Sequence, residues 1–352
     1  MPDALAVAYD VLLLDLDGVV YLGGTAIPGA PEALRKAKEA GAHLAYVTNN
    51  ASRTPAAVAA LLAGMSVPAE PADVITSSHA AARLLAEQLP PKSKVLVIGS
   101  TALRLAVRER GLTPVSTAAE NPLAVVQGYG PGIDYSTFRE GGNAVRAGAV
   151  FVGTNADSTL PGPHGTQPPG NGSLLQVIGH ATGVTPTIAG KPEPPLHRES
   201  VIRTGAQRPL VVGDRLDTDI EAAYNAGTDS FLVLTGVDNP RSTVLAPPHR
   251  RPTYIAETLD ALLEPYPDVT RAADDGNGGS SPQGMTAASC GGWTAASSAD
   301  GQLTVTGSGR AIDGLRALAA AAWAAHDASG GALAPDRVSA ALGTLAASGL
   351  RI

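Results

Sequence analysis

A chain of 352 residues with 44% hydrophobic content is long enough for two or more domains, each with its own core. The formal net charge of −7, with no basic stripe, gives no electrostatic footprint for a phosphate backbone, so nucleic acid is not an expected partner. A single cysteine, Cys290, excludes an internal disulfide and a cysteine-based zinc site, and fits a reducing compartment. The N-terminus lacks a basic leader pattern and no window reaches the ~18 apolar residues that span a bilayer. The expectation is a cytoplasmic protein with no membrane partner.

In chain order, short runs rich in Val, Leu and Ile recur at Val11–Leu14, Leu44–Val47, Val95–Ile98, Leu123–Val126, Val150–Val152, Leu210–Val212 and Phe231–Leu234. Each leads through a polar or glycine-containing turn into an Ala/Leu-rich stretch, which predicts βαβ units. Their hydrophobicity is continuous rather than alternating, so the strands are expected to be covered on both faces, as in a parallel sheet. Helices are predicted at Pro31–Ala40, Pro55–Ala63, Ser78–Gln88, Ala102–Arg110 and Asp217–Asn225, several opened by proline or a capping Ser, Thr or Asp.

The first run ends in Asp15-Leu16-Asp17-Gly18. Strand side chains alternate in direction, so two carboxylates one residue apart are expected to emerge together at the carboxyl end of the strand, the rim where open parallel sheets bind ligands. Paired carboxylates repel and need a shared proton or a cation. The run Leu210–Val212 leads into a second acidic cluster, Gly213-Asp214-Arg215-Leu216-Asp217-Thr218-Asp219. Asp15, Asp17 and Asp214, oxygen donors without cysteine or a nearby histidine, form a candidate Mg2+ site. Asp217 is expected to cap the following helix. The run Leu44–Val47 leads into Thr48-Asn49-Asn50, offering a hydroxyl, amides and backbone N–H donors, and Gly190-Lys191-Pro192 offers an ammonium in a rigid turn. Donors, a cation and a metal suit the charge that spreads over a phosphoryl group during transfer. The seven histidines show no metal-binding spacing, and neither a nucleophile elbow nor a P-loop is present.

DLDGV, VTNN, GKPEP and GDRLDTD, in that order, resemble the four motifs of the haloacid dehalogenase superfamily. Thr154-Asn155-Ala156-Asp157, followed by Pro161, Gly165 and Pro169-Gly170-Asn171-Gly172-Ser173, resembles its 4-nitrophenylphosphatase/phosphoglycolate phosphatase branch, which carries a large α/β cap. The appended C-terminus is similar to that of actinobacterial phosphatases of glycerol 3-phosphate. The resemblance spans roughly residues 9–262. It implies an α/β fold: a doubly wound parallel sheet with an inserted α/β cap domain and a small C-terminal α+β appendage. The division expected is a catalytic core in residues 1–79 and 186–264, the cap in 80–185, a linker in 265–285 and the appendage in 286–352.

The resemblance makes Asp15 the nucleophile that forms an aspartyl phosphate and Asp17 the acid and base. It makes Thr48, Asn49, Asn50 and Lys191 the substrate-binding set. The metal falls to the Asp15 carboxylate, the Asp17 main-chain carbonyl and Asp214, with Asp219 orienting coordinated water. The implied substrate is a small phosphorylated metabolite such as glycerol 3-phosphate, with 2-phosphoglycolate or 4-nitrophenyl phosphate as alternatives. Relatives that prefer pyridoxal phosphate place a histidine around position 160, where this chain has Leu160, and three phenylalanines in the whole chain offer few platforms for an aromatic ring. Asn155 and Asp157 are candidates either to face the site or to hold their own loop.

In the tail, Trp293–Ser298 and Leu303–Thr306 flank Asp300-Gly301, a hairpin signal, and helices are predicted at Ala311–His326 and Pro335–Ala347. Thr306-Gly307-Ser308-Gly309-Arg310 resembles the pyrophosphate-binding turn of GCN5-type N-acetyltransferases, but Thr304 stands where that turn expects Gln or Arg. The open readings of the tail are a truncated module packed on the core, self-association into a homo-oligomer, or acyl-CoA binding. A dehalogenase needs neither a second motif-one aspartate nor a metal, and is disfavoured.

Overall fold

The computed structural model describes residues 3–160, 162, 166–271, 286–298, 301–330 and 334–352. Six parallel strands form one sheet in the order Tyr254–Ala256, Asp229–Val233, Pro209–Gly213, Val11–Leu14, His43–Thr48, Val74–Thr76. Val11–Leu14 is central, and its alternating side chains divide between two cores. Leu12 and Leu14 join Leu44, Tyr46, Leu210 and Phe231 beneath the helices Ala30–Glu39 and Pro55–Gly64. Val11 and Leu13 join Ala45, Val47 and Val211 beneath Ser77–Gln88 and Pro194–Thr204. This two-sided covering explains the continuous hydrophobic run and makes the sheet doubly wound, as expected. Each fully buried Leu or Val contributes on the order of 1.5–3 kcal/mol.

A second parallel sheet runs Thr187–Ile188, Val150–Gly153, Ala124–Gln127, Lys94–Ile98, Thr113–Val115. Its Leu96, Ile98, Val125 and Phe151 pack against the helices Tyr135–Arg146 and Asn171–Thr182. One residue fixes this segment on the main sheet. Glu199, fully buried, is ion-paired with Arg83, with Arg110 at 2.6 Å and with Arg203 at 2.5 Å, tying three helical segments together. Burial opposes the charge on Glu199, but the three guanidiniums hold its carboxyl below the usual range. His79 crosses back over its own helix start, its Nδ1 accepting from the Thr76 backbone N–H at 3.3 Å.

Several elements were not legible as such. Tyr135–Arg146 holds two adjacent glycines, which lower helix propensity, yet Asp134 caps it by accepting from the Thr137 N–H at 2.9 Å. The outer strands Val74–Thr76 and Tyr254–Ala256 are three residues long, too short for a periodic signal. The helix expected from Asp217 begins instead with a wide turn over Leu216–Ile220, the Ile220 N–H reaching Arg215 O at 3.2 Å, before α-helix resumes at Glu221–Ala226. Asp217 is not its cap: both its oxygens accept from the Arg215 guanidinium, at 3.0 and 2.9 Å.

In the tail the strand pair forms as expected: Trp293–Ser297 runs antiparallel to Leu303–Gly307, extended by Thr286–Cys290 and Thr270–Arg271. Asp300 lies outside the described residues, as do Pro161, Gly165 and 272–285 of the expected linker. The helix Ala311–Ser329 covers this sheet, and Pro335–Val338 leads into a further helix, Ser339–Ala347. Residues 265–271, expected to belong to the linker, are held in place. Pro265 bridges Ala4, and the Tyr266 hydroxyl accepts from the Ile255 N–H at 2.9 Å, because the aromatic ring finds a partner in Tyr254. Arg316 donates to Ile255 O at 2.9 Å, lies 4.2 Å from the Tyr266 ring and bonds Asp313 at 2.6 Å. Val244 and Ile255 share an apolar cluster with Trp293, Leu315 and Leu345, so the tail packs against the open edge of the main sheet. Among the described residues, no helix is long and apolar enough to cross a membrane.

Candidate active site

Four strand ends of the main sheet converge on one pocket. Val11–Leu14 stops one residue before Asp15, so strand alternation no longer governs Asp15 and Asp17. Asp15 turns inward, and its Oδ1 accepts from Lys191 Nζ. Asp17 is exposed, and its backbone forms a bridge with that of Tyr21. The carboxylates of Asp15, Asp214 and Asp219 instead group within 4.8 Å of one another. Asp17 is thus left out of the carboxylate cluster, and Asp219, expected to act at one remove, is inside it. The wide turn over Leu216–Ile220 brings Asp219 inward, where its Oδ2 accepts from the Arg215 N–H at 3.2 Å.

Lys191 reaches into this cluster from the opposite side. Its Nζ bonds Asp15 Oδ1, Asp219 Oδ1 at 2.7 Å and Val47 O at 3.2 Å, which uses all three ammonium hydrogens. Burial works against its charge, but Asp15 and Asp219 outweigh it and hold the ammonium above its ordinary pKa. Asp15 moves the other way: burial first, then Asp219 and Asp214, raise its carboxyl well above the usual range against the pull of Lys191. Asp214, 1% exposed, is pushed up to about 7 by burial and by Asp219. Its Oδ2 accepts from the Val237 N–H at 2.8 Å, while its Oδ1 is buried with no hydrogen-bond partner.

Three buried acids facing one ammonium leave excess negative charge, and an orphaned carboxylate oxygen marks where a further cation fits. The donors are all hard oxygens, which suits magnesium. Gly18, with φ of +84°, permits the close approach of this loop: a Cβ there would stand 2.3 Å from Asp214 Oδ2.

Thr48, 6% exposed, closes the strand His43–Thr48, and its hydroxyl accepts from the Asn50 N–H at 3.1 Å. The Asn50 carboxamide oxygen accepts from the Ser52 backbone and hydroxyl at 2.8 and 2.7 Å, so it builds its own turn. Asn49 Oδ1 accepts from the Lys191 N–H at 2.8 Å and its Nδ2 donates to Lys191 O at 3.1 Å. From the inserted segment, Asn155 Nδ2 donates to Asn49 O at 2.6 Å, and the Asp157 carboxylate lies 3.4 Å from Asn49 Nδ2. Burial raises the Asp157 carboxyl, Arg215 and Lys191 opposing it. Burial likewise raises Asp17, against Arg53, Lys191 and a hydrogen bond from Tyr21. Sequence reasoning did not reach Thr235-Gly236-Val237, which follows another strand end, holds Gly18 O through Thr235 Oγ1 at 2.6 Å and caps Asp214. The strand-end rule, applied once more after Asp229–Val233, points to it.

Residues 12–113 match the family of haloacid dehalogenase-like hydrolases, and residues 188–262 match a second family of the same kind. Residues 290–347 match a GCN5-related N-acetyltransferase like domain. The D-glycerol 3-phosphate phosphatase of Mycobacterium tuberculosis is 45% identical over 259 residues, 74% of this chain and 72% of that protein. The 5'-nucleotidase YutF of Bacillus subtilis is 40% identical over 260 residues, 73% of this chain and 98% of that one. Among solved structures, a glycerol phosphate phosphatase from Mycobacterium tuberculosis in complex with magnesium superposes with a TM-score of 0.81 at 40% identity, over 92% of this chain and 93% of that one. A 4-nitrophenylphosphatase from Thermotoga maritima superposes at 0.67 with 28% identity, over 74% of this chain and 98% of that one.

Proposed function

Because this chain belongs to the haloacid dehalogenase-like hydrolases, we propose that it is a magnesium-dependent phosphoric monoester hydrolase acting on glycerol 3-phosphate through an aspartyl phosphate at Asp15. The observation that carries the reading is the convergence of Lys191, Asp214 and Asp219 on Asp15. Such a set orients one carboxylate as nucleophile and surrounds the incoming phosphoryl group with positive charge once the cation is present.

Asp15 Oδ1 is taken by Lys191, which leaves Oδ2 to attack phosphorus. The ester P–O bond breaks, and Asp17, whose carboxyl is raised and therefore holds its proton to higher pH, protonates the departing alkoxide oxygen. In the second half, water attacks the phosphorus of the aspartyl phosphate, Asp17 takes its proton, and the bond to Asp15 breaks to release orthophosphate. The Thr48 hydroxyl and the Lys191 ammonium, the latter exchanging its bond to Val47 O for one to a phosphoryl oxygen, hold the transferring group through both halves. Magnesium, held by the Asp15 and Asp214 carboxylates and the Asp17 carbonyl with Asp219 alongside, would neutralise charge on the phosphoryl oxygens.

The substrate assignment draws on the glycerol 3-phosphate phosphatase among the relatives, and Leu160, standing where relatives that prefer pyridoxal phosphate place a histidine, argues against that substrate. Comparing kcat/KM across polyol, sugar, glycolate, nucleoside and 4-nitrophenyl phosphates, with and without magnesium, tests it. Glycerol 3-phosphate is expected to lead; a nucleoside monophosphate ahead of it overturns the assignment.

A further inference from the structure

The sequence offers Asn49 as a group that grips the phosphoryl oxygens, but both polar atoms of its carboxamide are committed elsewhere. Oδ1 accepts from Lys191 N–H at 2.8 Å and Nδ2 donates to Lys191 O at 3.1 Å, so one side chain clamps both backbone groups of one residue. That residue's ammonium, several bonds further on, is the one that meets Asp15 and Asp219. The approach is close: a Cβ on Gly190 would stand 2.5 Å from Asn49 Oδ1 and 2.6 Å from Thr154 O, so the segment carrying Lys191 tolerates no side chain there. Asn49 is itself fixed from two directions. Its carbonyl accepts from Ser77 Oγ at 2.6 Å and from Asn155 Nδ2 at 2.6 Å.

We propose that Asn49 is a positioning residue: its carboxamide holds the Lys191 backbone, and through it the ammonium, in register with Asp15, while Asn155 of the inserted segment holds Asn49. The inference rests on the reading of Lys191 as the cation that binds the phosphoryl group. A side chain that acts only through another loses its effect once that other is removed, whereas one that touches the substrate keeps it. Misplacing a catalytic group by about 1 Å costs roughly 100-fold.

The test is a double-mutant cycle in the full chain with magnesium, using Asn49→Ala, Lys191→Met and the pair. It reads kcat and KM for 4-nitrophenyl phosphate and the inhibition constant of orthophosphate. Asn49→Ala is expected to lower kcat roughly 10- to 100-fold, with KM changed less than about 3-fold. In the Lys191→Met background the same substitution should change every readout by less than about 2-fold. Equal losses in both backgrounds overturn the positioning role and return Asn49 to direct phosphate contact. Where Asn49→Ala does not fold by near-ultraviolet circular dichroism, Asn49→Asp replaces it in the same cycle, since it keeps the acceptor and loses the donor. The underlying reading fails separately: Lys191→Met with undiminished turnover, or a wild-type chain without magnesium-dependent phosphate release, sinks it before the cycle is read.

Discussion

The ammonium of Lys191 bonds the carboxylate of Asp15, a residue 176 positions earlier in the chain, in a site where both are largely buried. Removing one partner of a buried pair leaves the other charge unscreened, at a cost of about 3–5 kcal/mol. Lys191→Met is therefore expected to lower the thermal midpoint and to increase the stabilisation gained from added magnesium, because three acids then lack their internal cation. Calorimetry with and without magnesium reads both. An unchanged magnesium increment contradicts the shared-charge account.

Asp17 should matter in proportion to how poor the leaving group is. Asp17→Asn is expected to lower glycerol 3-phosphate turnover by about 10²–10⁴-fold, the usual worth of a general acid. With 4-nitrophenyl phosphate, whose leaving group needs little protonation, the variant should still release a rapid burst of nitrophenol before a slow steady state, because only the second half then waits for a base. Stopped-flow measurement checks this, and loss of the burst removes Asp17 from leaving-group chemistry.

His79 is 4% exposed, and burial foremost, with Arg203 and Arg110 adding, lowers its pKa to about 4. Glu109 lies 4.0 Å from its Nε2, and Glu199 pulls in the opposite direction without outweighing them. The fold therefore prefers the neutral ring. Below the unfolded value near 6.5 the unfolded chain takes up a proton that the folded chain refuses. Stability is expected to fall as pH drops from about 6.5 to 4, by on the order of 3 kcal/mol from this residue. Urea titrations across that window should show a shallower slope in His79→Gln. Identical slopes contradict the assignment.

The tail braces the main sheet at its open edge. Arg316 and Tyr266 satisfy the backbone O and N–H of Ile255 that a further strand would otherwise take, and Trp323 Nε1 donates to Thr243 O at 3.2 Å. Arg316→Met strands Asp313 and removes the shorter of the two hydrogen bonds to Ile255 O, and is expected to lower the thermal midpoint by roughly 5–10 °C while leaving kcat/KM within about twofold. A drop in kcat/KM at unchanged stability would tie the tail to catalysis instead.

The parallel sheet was legible because a strand buried on both faces must be apolar throughout, as Val11–Leu14 and Leu210–Val212 are. Asp15, Asp214 and Lys191 could be found because ligand sites gather at strand ends. What could not be read was where side chains point once a strand has stopped. Alternation placed Asp17 beside Asp15, but the strand ends at Leu14, and the loop sends one inward and the other to the rim. Asp219 joins the cluster only because the helix start winds wide, which no composition signals. The Asn49 carboxamide, readable as a phosphate ligand, is claimed by a peptide 142 residues away.

The central claim, an acyl phosphate at Asp15, is tested most directly by acid-quenching the enzyme during turnover of glycerol 3-phosphate radiolabelled at phosphorus and locating the label by peptide mass spectrometry. The account predicts acid-stable, hydroxylamine-labile label on the peptide containing Asp15, and none in Asp15→Asn. Label on another residue, or an Asp15→Asn enzyme that still turns over, would contradict it.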